Sequence, residues 1–192
     1  MDHEGLAPMP ANGRAAAAGI DWAEAGRRLG ADGAAVLPAG AVVVARWPRL
    51  KCEYGCEDYG TTLSCPPYAP DPERFAALLA DYRRALLVWV EAAGEEPSSP
   101  RHRLHETLLD LEREALLAGL TKAFALTEGP CPWCADEPCL FAEGCRHPRK
   151  RRPAMSACGI DTFATAAAAG LDLRVATDEG APYRLVGLLL LD

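Results

Sequence analysis

The chain has 192 residues, which is long enough for one domain with a hydrophobic core. Hydrophobic residues make up 49% and charged residues 24%, a globular balance, and the formal net charge of -7 argues against general nucleic-acid binding. Every apolar run is far shorter than the roughly 20 residues that a membrane span needs, and the N-terminus lacks the apolar core of a secretory signal. We therefore expect a cytoplasmic protein that binds neither membranes nor nucleic acid.

Residues 1–18 are rich in Ala, Gly and Pro and are expected to form a poorly ordered arm. The remainder, 19–192, is predicted to be a single domain. A polar linker is predicted at 94–100. Asp followed by Pro predicts that a helix begins at Asp71, because Asp caps helices and Pro fits the first helical position. Further helices are predicted at 21–29, 101–119 and 161–169, and the second of these has an apolar stripe and a stop at Gly119.

Short β-branched or continuously apolar runs predict strands. The predicted strands are 41–47, 85–90, 122–127, 171–176 and 183–191. Strands and helices therefore alternate along the chain. This order predicts an α/β or α+β fold, with a sheet of about five strands and helices packed on it.

Seven of the eight cysteines fall into two short windows. The first has the pattern C-x3-C-x8-C and the second C-x2-C-x4-C-x5-C, and both are predicted to lie in loops, at 52–67 and 131–158. Metal binding explains such clustering, because a short loop brings thiolates to one centre at a small entropic cost. The candidate ligands are Cys52, Cys56, Cys65, Cys131, Cys134, Cys139 and Cys145, with Cys158 as a further candidate.

Three chemistries compete for these cysteines. Disulfides are disfavoured, because thiols stay reduced in the cytoplasm and a chain of this size does not need covalent staples. Zinc suits a CxxC pair and four thiolates. Iron–sulfur clusters are favoured, because ligation by cysteine alone in Gly- and Pro-rich loops is their common form and the first group lacks a CxxC pair. One or two [4Fe–4S] clusters are therefore predicted as the cofactor, with zinc as the alternative.

The number of ligands suggests two centres, although one larger shared site is the alternative. The second group supplies four thiols and the first only three, so the fourth position there belongs to Cys158, to another residue or to none. An open iron would bind and polarise a substrate as a Lewis acid. The basic run at 146–152, in an acidic chain, would stabilise a cluster, dock an acidic redox partner, bind an anion or simply be solvated.

These motifs resemble an uncharacterised family known as predicted metal-binding proteins, domain of unknown function 2284. The resemblance is carried by C-x3-C-x2-YG-x4-CPP in 52–67, CPxC from Cys131, CRHP from Cys145 and RRPAM-x3-GID ending at residue 161. It covers the chain from about residue 40 to the end. It implies small cytoplasmic prokaryotic proteins that bind metal through these cysteines, and it implies no particular activity. Ala154 and Ser156 stand where Ser and Glu would be more usual.

Three functions are compatible with these features. The first is an iron–sulfur protein that transfers electrons for a redox partner protein. The second is an enzyme with an open [4Fe–4S] iron held by Cys52, Cys56 and Cys65, acting on a small anionic or sulfur-containing substrate. The third is a zinc-stabilised interaction module. Whether the protein is an enzyme, and its oligomeric state, stay open.

Overall fold

The structure is a computed structural model of the chain. It describes residues 17, 19–93, 98–134, 137–176, 178 and 181–192. The α-helices are α1 Trp22–Arg28, α2 Trp47–Gly55, α3 Pro72–Leu79, α4 Ser98–Leu117 and α5 Thr162–Ala168. The strands are β1 Gly33–Pro38, β2 Arg84–Ala92, β3 Phe124–Leu126 and β4 Tyr183–Leu190. Short 3-10 helices span Ala39–Ala41 and Ser156–Cys158. No described helix combines the length and the apolar character that crossing a membrane requires.

The strands form one antiparallel sheet in the order β1-β2-β4-β3. The fold is therefore α+β, and the sheet among the described residues has four strands rather than about five. Leu87, in the middle of β2, lies opposite Ala35 of β1 and Leu188 of β4. Such central strands are covered on both sides, which explains why β2 and β4 are almost continuously apolar.

Helices cover both faces of this sheet. On one face, α1 and α4 bury an apolar stripe from α4 against Leu86 of β2; the stripe consists of Leu104, Leu108, Leu111 and Ala115. On the other face, Phe75 of α3 and Met155 pack against Leu87. Adjacent residues of β2 thus belong to opposite cores, as the alternation of side chains along a strand requires.

Aspartate caps define the starts of three described helices, and the cap at Asp71 was predicted. Asp71 accepts a hydrogen bond from the Arg74 amide at 2.7 Å, and Asp21 and Asp161 cap α1 and α5 in the same way. A capping carboxylate satisfies amide groups that have no partner within the helix, and it also interacts favourably with the helix dipole. These local signals explain why the helix predictions near 21–29 and 161–169 are confirmed.

Two predicted strands are wrong. Residues 41–47 contain the end of a 3-10 helix, an isolated bridge from Val44 to Ile160, and the beginning of α2. Of the apolar side chains here only Val42 is buried, whereas Val43 and Trp47 are exposed, so the segment has no place within the sheet. Residues 171–176 form no strand either, and Arg174 there pairs with Asp172 in solvent.

Strand β1 gives a weak strand signal in the sequence, because its first three residues are Gly and Ala. A methyl group on Gly33 would lie 2.1 Å from the Trp89 ring, and Ala34 packs against Gly26 of α1. Small residues weaken the strand signal but allow α1 and the neighbouring ring to approach closely.

The N-terminal prediction falls largely outside the described residues. Within 1–18 only Ala17 is described, and it is buried against the core of α1 and α4. The predicted linker at 94–100 is described only from residue 98, where α4 begins.

Residues 153–161, here called the bridging segment, connect two distant parts of the chain. The Met155 amide donates to the Thr127 carbonyl, just after β3, at 2.8 Å. At its other end, the Ala45 amide donates to the Gly159 carbonyl at 2.8 Å. The segment therefore holds the beginning of the second cysteine loop beside the stretch that leads into the first.

Candidate metal centre

The first three cysteines line one small cavity of about 40 Å³, here called the first site. Cys52 lies within α2, which corrects the prediction that the whole group is in a loop; Cys56 caps that helix, and Cys65 lies in the loop beyond it. Gly129 and Pro130 and the bridging segment form the other walls. Cys65 is buried, Cys52 is half-buried and Cys56 is exposed.

The thiols of the first site influence one another electrostatically. Burial raises the pKa of Cys52, a hydrogen bond with Ser156 lowers it, and the neighbouring Cys56 raises it. Burial likewise raises the pKa of Cys65, which a hydrogen bond with Thr62 lowers and the charges of Asp58 and the other two cysteines raise. Gathered thiols of this kind favour a shared cation, because a metal ion in their midst reverses the repulsion and deprotonates them.

Arg49 is a residue of this region that the sequence analysis missed. Its guanidinium donates to the carbonyls of Pro70 and Ala157, each at 3.2 Å, and its side chain is only 15% exposed. Arg49 thus connects α2 to the end of the first cysteine loop and to the bridging segment, and its charge lowers the pKa of Cys52. In the sequence, only its position three residues before Cys52 connects Arg49 with the site. That signal is weak, because the chain has 20 basic residues.

The second group of cysteines lines a larger cavity of about 760 Å³, here called the second site. Cys131, Cys134 and Cys139 form part of its wall. Burial raises the pKa of Cys131, a hydrogen bond from the Trp133 amide lowers it, and the charges of the three other cysteines of the group, including Cys145, raise it. The three other thiols of the group are therefore within electrostatic range of Cys131.

Backbone amides donate to two of these sulfurs. The Trp133 amide donates to Cys131, and the His147 amide donates to the Cys145 Sγ at 3.3 Å. In both cases the donor is two residues after the cysteine. Such N–H···S bonds stabilise the thiolate, and hydrogen bonds to sulfur are one of the factors that set the potential of iron–sulfur clusters.

The two sites share a wall. Asp58 and Pro130 line both cavities. Phe141 of the second loop also stacks on Tyr68 of the first, with ring centroids 4.9 Å apart. The cysteine groups are thus neighbours, although Cys65 and Cys131 are 66 positions apart along the chain.

The basic run at 146–152 is partly used inside the protein. Arg146 pairs with Glu137 at 3.2 Å, and Lys150 places its ammonium 4.1 Å from the centre of the Trp133 ring. Arg152 pairs with Glu112 in a setting where both side chains are at most 14% exposed. Arg149 and Arg151 form no ion pair with any described residue. The run therefore braces the second loop and also leaves charge at the surface.

Cys158 lies apart from both groups. It is 0% exposed, packs in the core between the sheet, α3 and α5, and lines a different cavity. Burial raises its pKa to about 12, against the opposing charge of Arg49. Its assignment as a ligand stays a prediction.

All eight cysteines are free thiols. Among the described residues, no three or more Cys, His, Asp or Glu side chains already have the spacing of a bound metal ion. The donor sets nevertheless fit a thiophilic metal, because three thiols line each of two cavities and backbone amides donate to Cys131 and to the Cys145 Sγ. The cavity at the first site has a volume of about 40 Å³, and its member Cys56 is exposed.

Grouped thiols of this kind, in an α+β domain, are typical of cysteine-rich metal-binding proteins. The chain belongs to the family described as "Predicted metal-binding protein (DUF2284)", whose family model matches residues 35–191. The resemblance found in the sequence is therefore confirmed. No curated protein and no solved structure gave a match.

Proposed function

We propose that this protein is a cytoplasmic iron–sulfur protein that carries two neighbouring clusters and transfers electrons for a partner protein. Cys52, Cys56 and Cys65 would hold one cluster. The other would be held by the second group, which consists of Cys131, Cys134, Cys139 and Cys145. A bound cluster supplies the ability to accept and release single electrons.

The shared wall of the two sites is the observation that carries the proposal. Because Asp58 and Pro130 line both cavities, electrons would cross only a thin layer of protein between the two centres. The protein's own residues hold the sites in place: Arg49 connects the loop of the first, and Arg146 and Lys150 brace the loop of the second.

An enzyme with an open iron at the first site is the second candidate. It is supported by the position of Cys158, which leaves three thiols at that cavity. Asp58 also lines the cavity, and its carboxylate would be the oxygen ligand there when no substrate is bound. The substrate class would be a small anion or a sulfur compound, because both bind an open iron through an electron-rich atom.

Metal analysis after anaerobic purification tests the proposal. We expect iron and acid-labile sulfide in equal amounts, a broad visible absorption band that bleaches on reduction, and little zinc. Cys56→Ala and Cys134→Ala should each remove one cluster and leave the other. Zinc without sulfide would refute the proposal in favour of the interaction module. Loss of all iron in both single variants would instead indicate one shared centre.

A further inference from the structure

A third cavity, which contains none of the seven grouped cysteines, lies beside the first site. Its volume is about 590 Å³, within the range of small-molecule sites. Ser64 and Cys158 belong to its wall, whereas the adjacent residues Cys65 and Ala157 line the first site. The two cavities are therefore on opposite sides of the same two backbone segments.

Aromatic and aliphatic side chains form most of the walls of this cavity. Phe75 is fully packed at its base, and Tyr68, Tyr82 and Phe124 also line it, with Leu78 at the exposed rim. Planar rings favour a flat apolar ligand, because stacked or edge-to-face ring pairs contribute beyond the burial of apolar area.

Basic side chains outnumber acidic ones at the same cavity. Lys122, Arg151 and Arg152 line it, against the single carboxylate of Asp81. Arg152 is neutralised by Glu112 and lies over the Phe124 ring at 5.3 Å, so its role is structural.

The two other cations remain for a ligand. Lys122 is held at the rim by a hydrogen bond to the Asp81 carbonyl, and its ammonium lies 5.4 Å from the centre of the Tyr82 ring. Arg151 is exposed and forms no ion pair with any described residue, although a guanidinium fork suits a carboxylate.

We propose that this cavity binds a small aromatic or similarly flat organic anion, whose apolar body lies among Tyr68, Phe75 and Phe124 and whose anionic group meets Arg151 and Lys122. The proposal does not depend on which metal the cysteines hold. The site would place such a molecule one residue layer from the first site. It adds a ligand class and a location to a chain whose family description gives neither.

Binding of 2-naphthoate to the anaerobically purified full chain, followed by its fluorescence, tests this proposal. We expect saturable binding below about 1 mM, and at least tenfold weaker binding of the neutral 2-naphthamide, which has the same shape. Leu78→Trp should abolish binding of both molecules, because it fills an exposed part of the rim. Absence of 2-naphthoate binding up to about 1 mM would overturn the proposal.

Charge variants then locate the anionic group. Arg151→Met should weaken 2-naphthoate binding about tenfold, as loss of a charge-assisted hydrogen bond predicts, and leave 2-naphthamide unaffected. Arg149→Met is the matched control, because Arg149 is in the same basic run but lines another cavity. Thermal unfolding confirms that each variant is folded. Equal weakening in Arg149→Met and Arg151→Met, or undiminished binding in Leu78→Trp, would show that the cavity is not the site.

Discussion

Substitution of Cys158 by alanine tests whether this cysteine is a residue of the core or a metal ligand. Cys158 is adjacent in sequence to residues that line the first site, but its own side chain is fully buried in the apolar core. Its thiol lines a different cavity from the one where Cys52, Cys56 and Cys65 are gathered. We therefore expect Cys158→Ala to retain the full complement of metal.

The cost in stability can be derived from the burial of this side chain. Cys158 is 0% exposed, so alanine removes one buried sulfur and leaves a small void. Loss of one buried group of this size, with partial relaxation around it, costs about 1–2 kcal/mol. In a chain of this length the unfolding midpoint should fall by about 2–8 °C. Cys65→Ala is the matched control, because Cys65 is also buried, at 7% exposed, but lines the first site.

The assay combines metal content with thermal unfolding, each measured on anaerobically purified protein. Cys65→Ala should lose the metal of the first site, whereas Cys158→Ala should lose only stability. The reasoning is refuted if Cys158→Ala loses as much metal as Cys65→Ala while its unfolding midpoint stays that of the wild type.

Other substitutions test the packing around the two sites. A methyl group on Gly159, which has a φ of 82°, would lie 2.7 Å from neighbouring atoms, whereas one on Gly170, with a φ of 78°, would meet no described atom within 4 Å. Gly170→Ala should therefore cost about 1–2 kcal/mol of stability, and Gly159→Ala should cost more. Urea unfolding compares the two variants, and equal losses would contradict the steric argument. Glu112→Gln removes the partner of a buried arginine and should cost about 3–5 kcal/mol, whereas Glu114→Gln, in a more exposed pair, should cost less than about 1 kcal/mol in the same assay. Burial lowers the pKa of His105 from 6.5 to about 4, so the unfolded chain binds a proton there that the folded chain does not. The free energy of unfolding should therefore fall by up to about 3 kcal/mol as the pH drops from 6.5 to 4. In urea titrations at several pH values, His105→Gln should lose less stability over this range than the wild type. An unchanged pH dependence in His105→Gln would exclude His105 as the source of the loss.

Within the described part of the chain, local signals predicted most of the helices and three of the four strands. Caps such as Asp71 and continuous apolar runs such as β2 depend on nearby residues, so they can be read directly from the sequence. Strand β1 could not be predicted in this way. Gly33 is required there because any side chain would clash with the Trp89 ring of the neighbouring strand, and that contact cannot be seen in the local sequence. The error at 41–47 also has a tertiary origin, since this apolar run makes only an isolated bridge to Ile160 of the bridging segment and does not join the sheet.

The grouping of the cysteines was visible in the sequence, but their division between sites and core was not. Ser156 and Cys158 are both in one turn of 3-10 helix, which has about three residues per turn, so residues two apart point in different directions. Ser156 consequently faces Cys52 at the first site, while Cys158 faces the sheet. Two hydrogen bonds between the bridging segment and distant positions set that orientation. The Met155 amide donates to the Thr127 carbonyl, and the Gly159 carbonyl accepts from the Ala45 amide. Spacing alone could therefore include Cys158 among the candidate ligands, and only the tertiary structure shows that its side chain lies in the core.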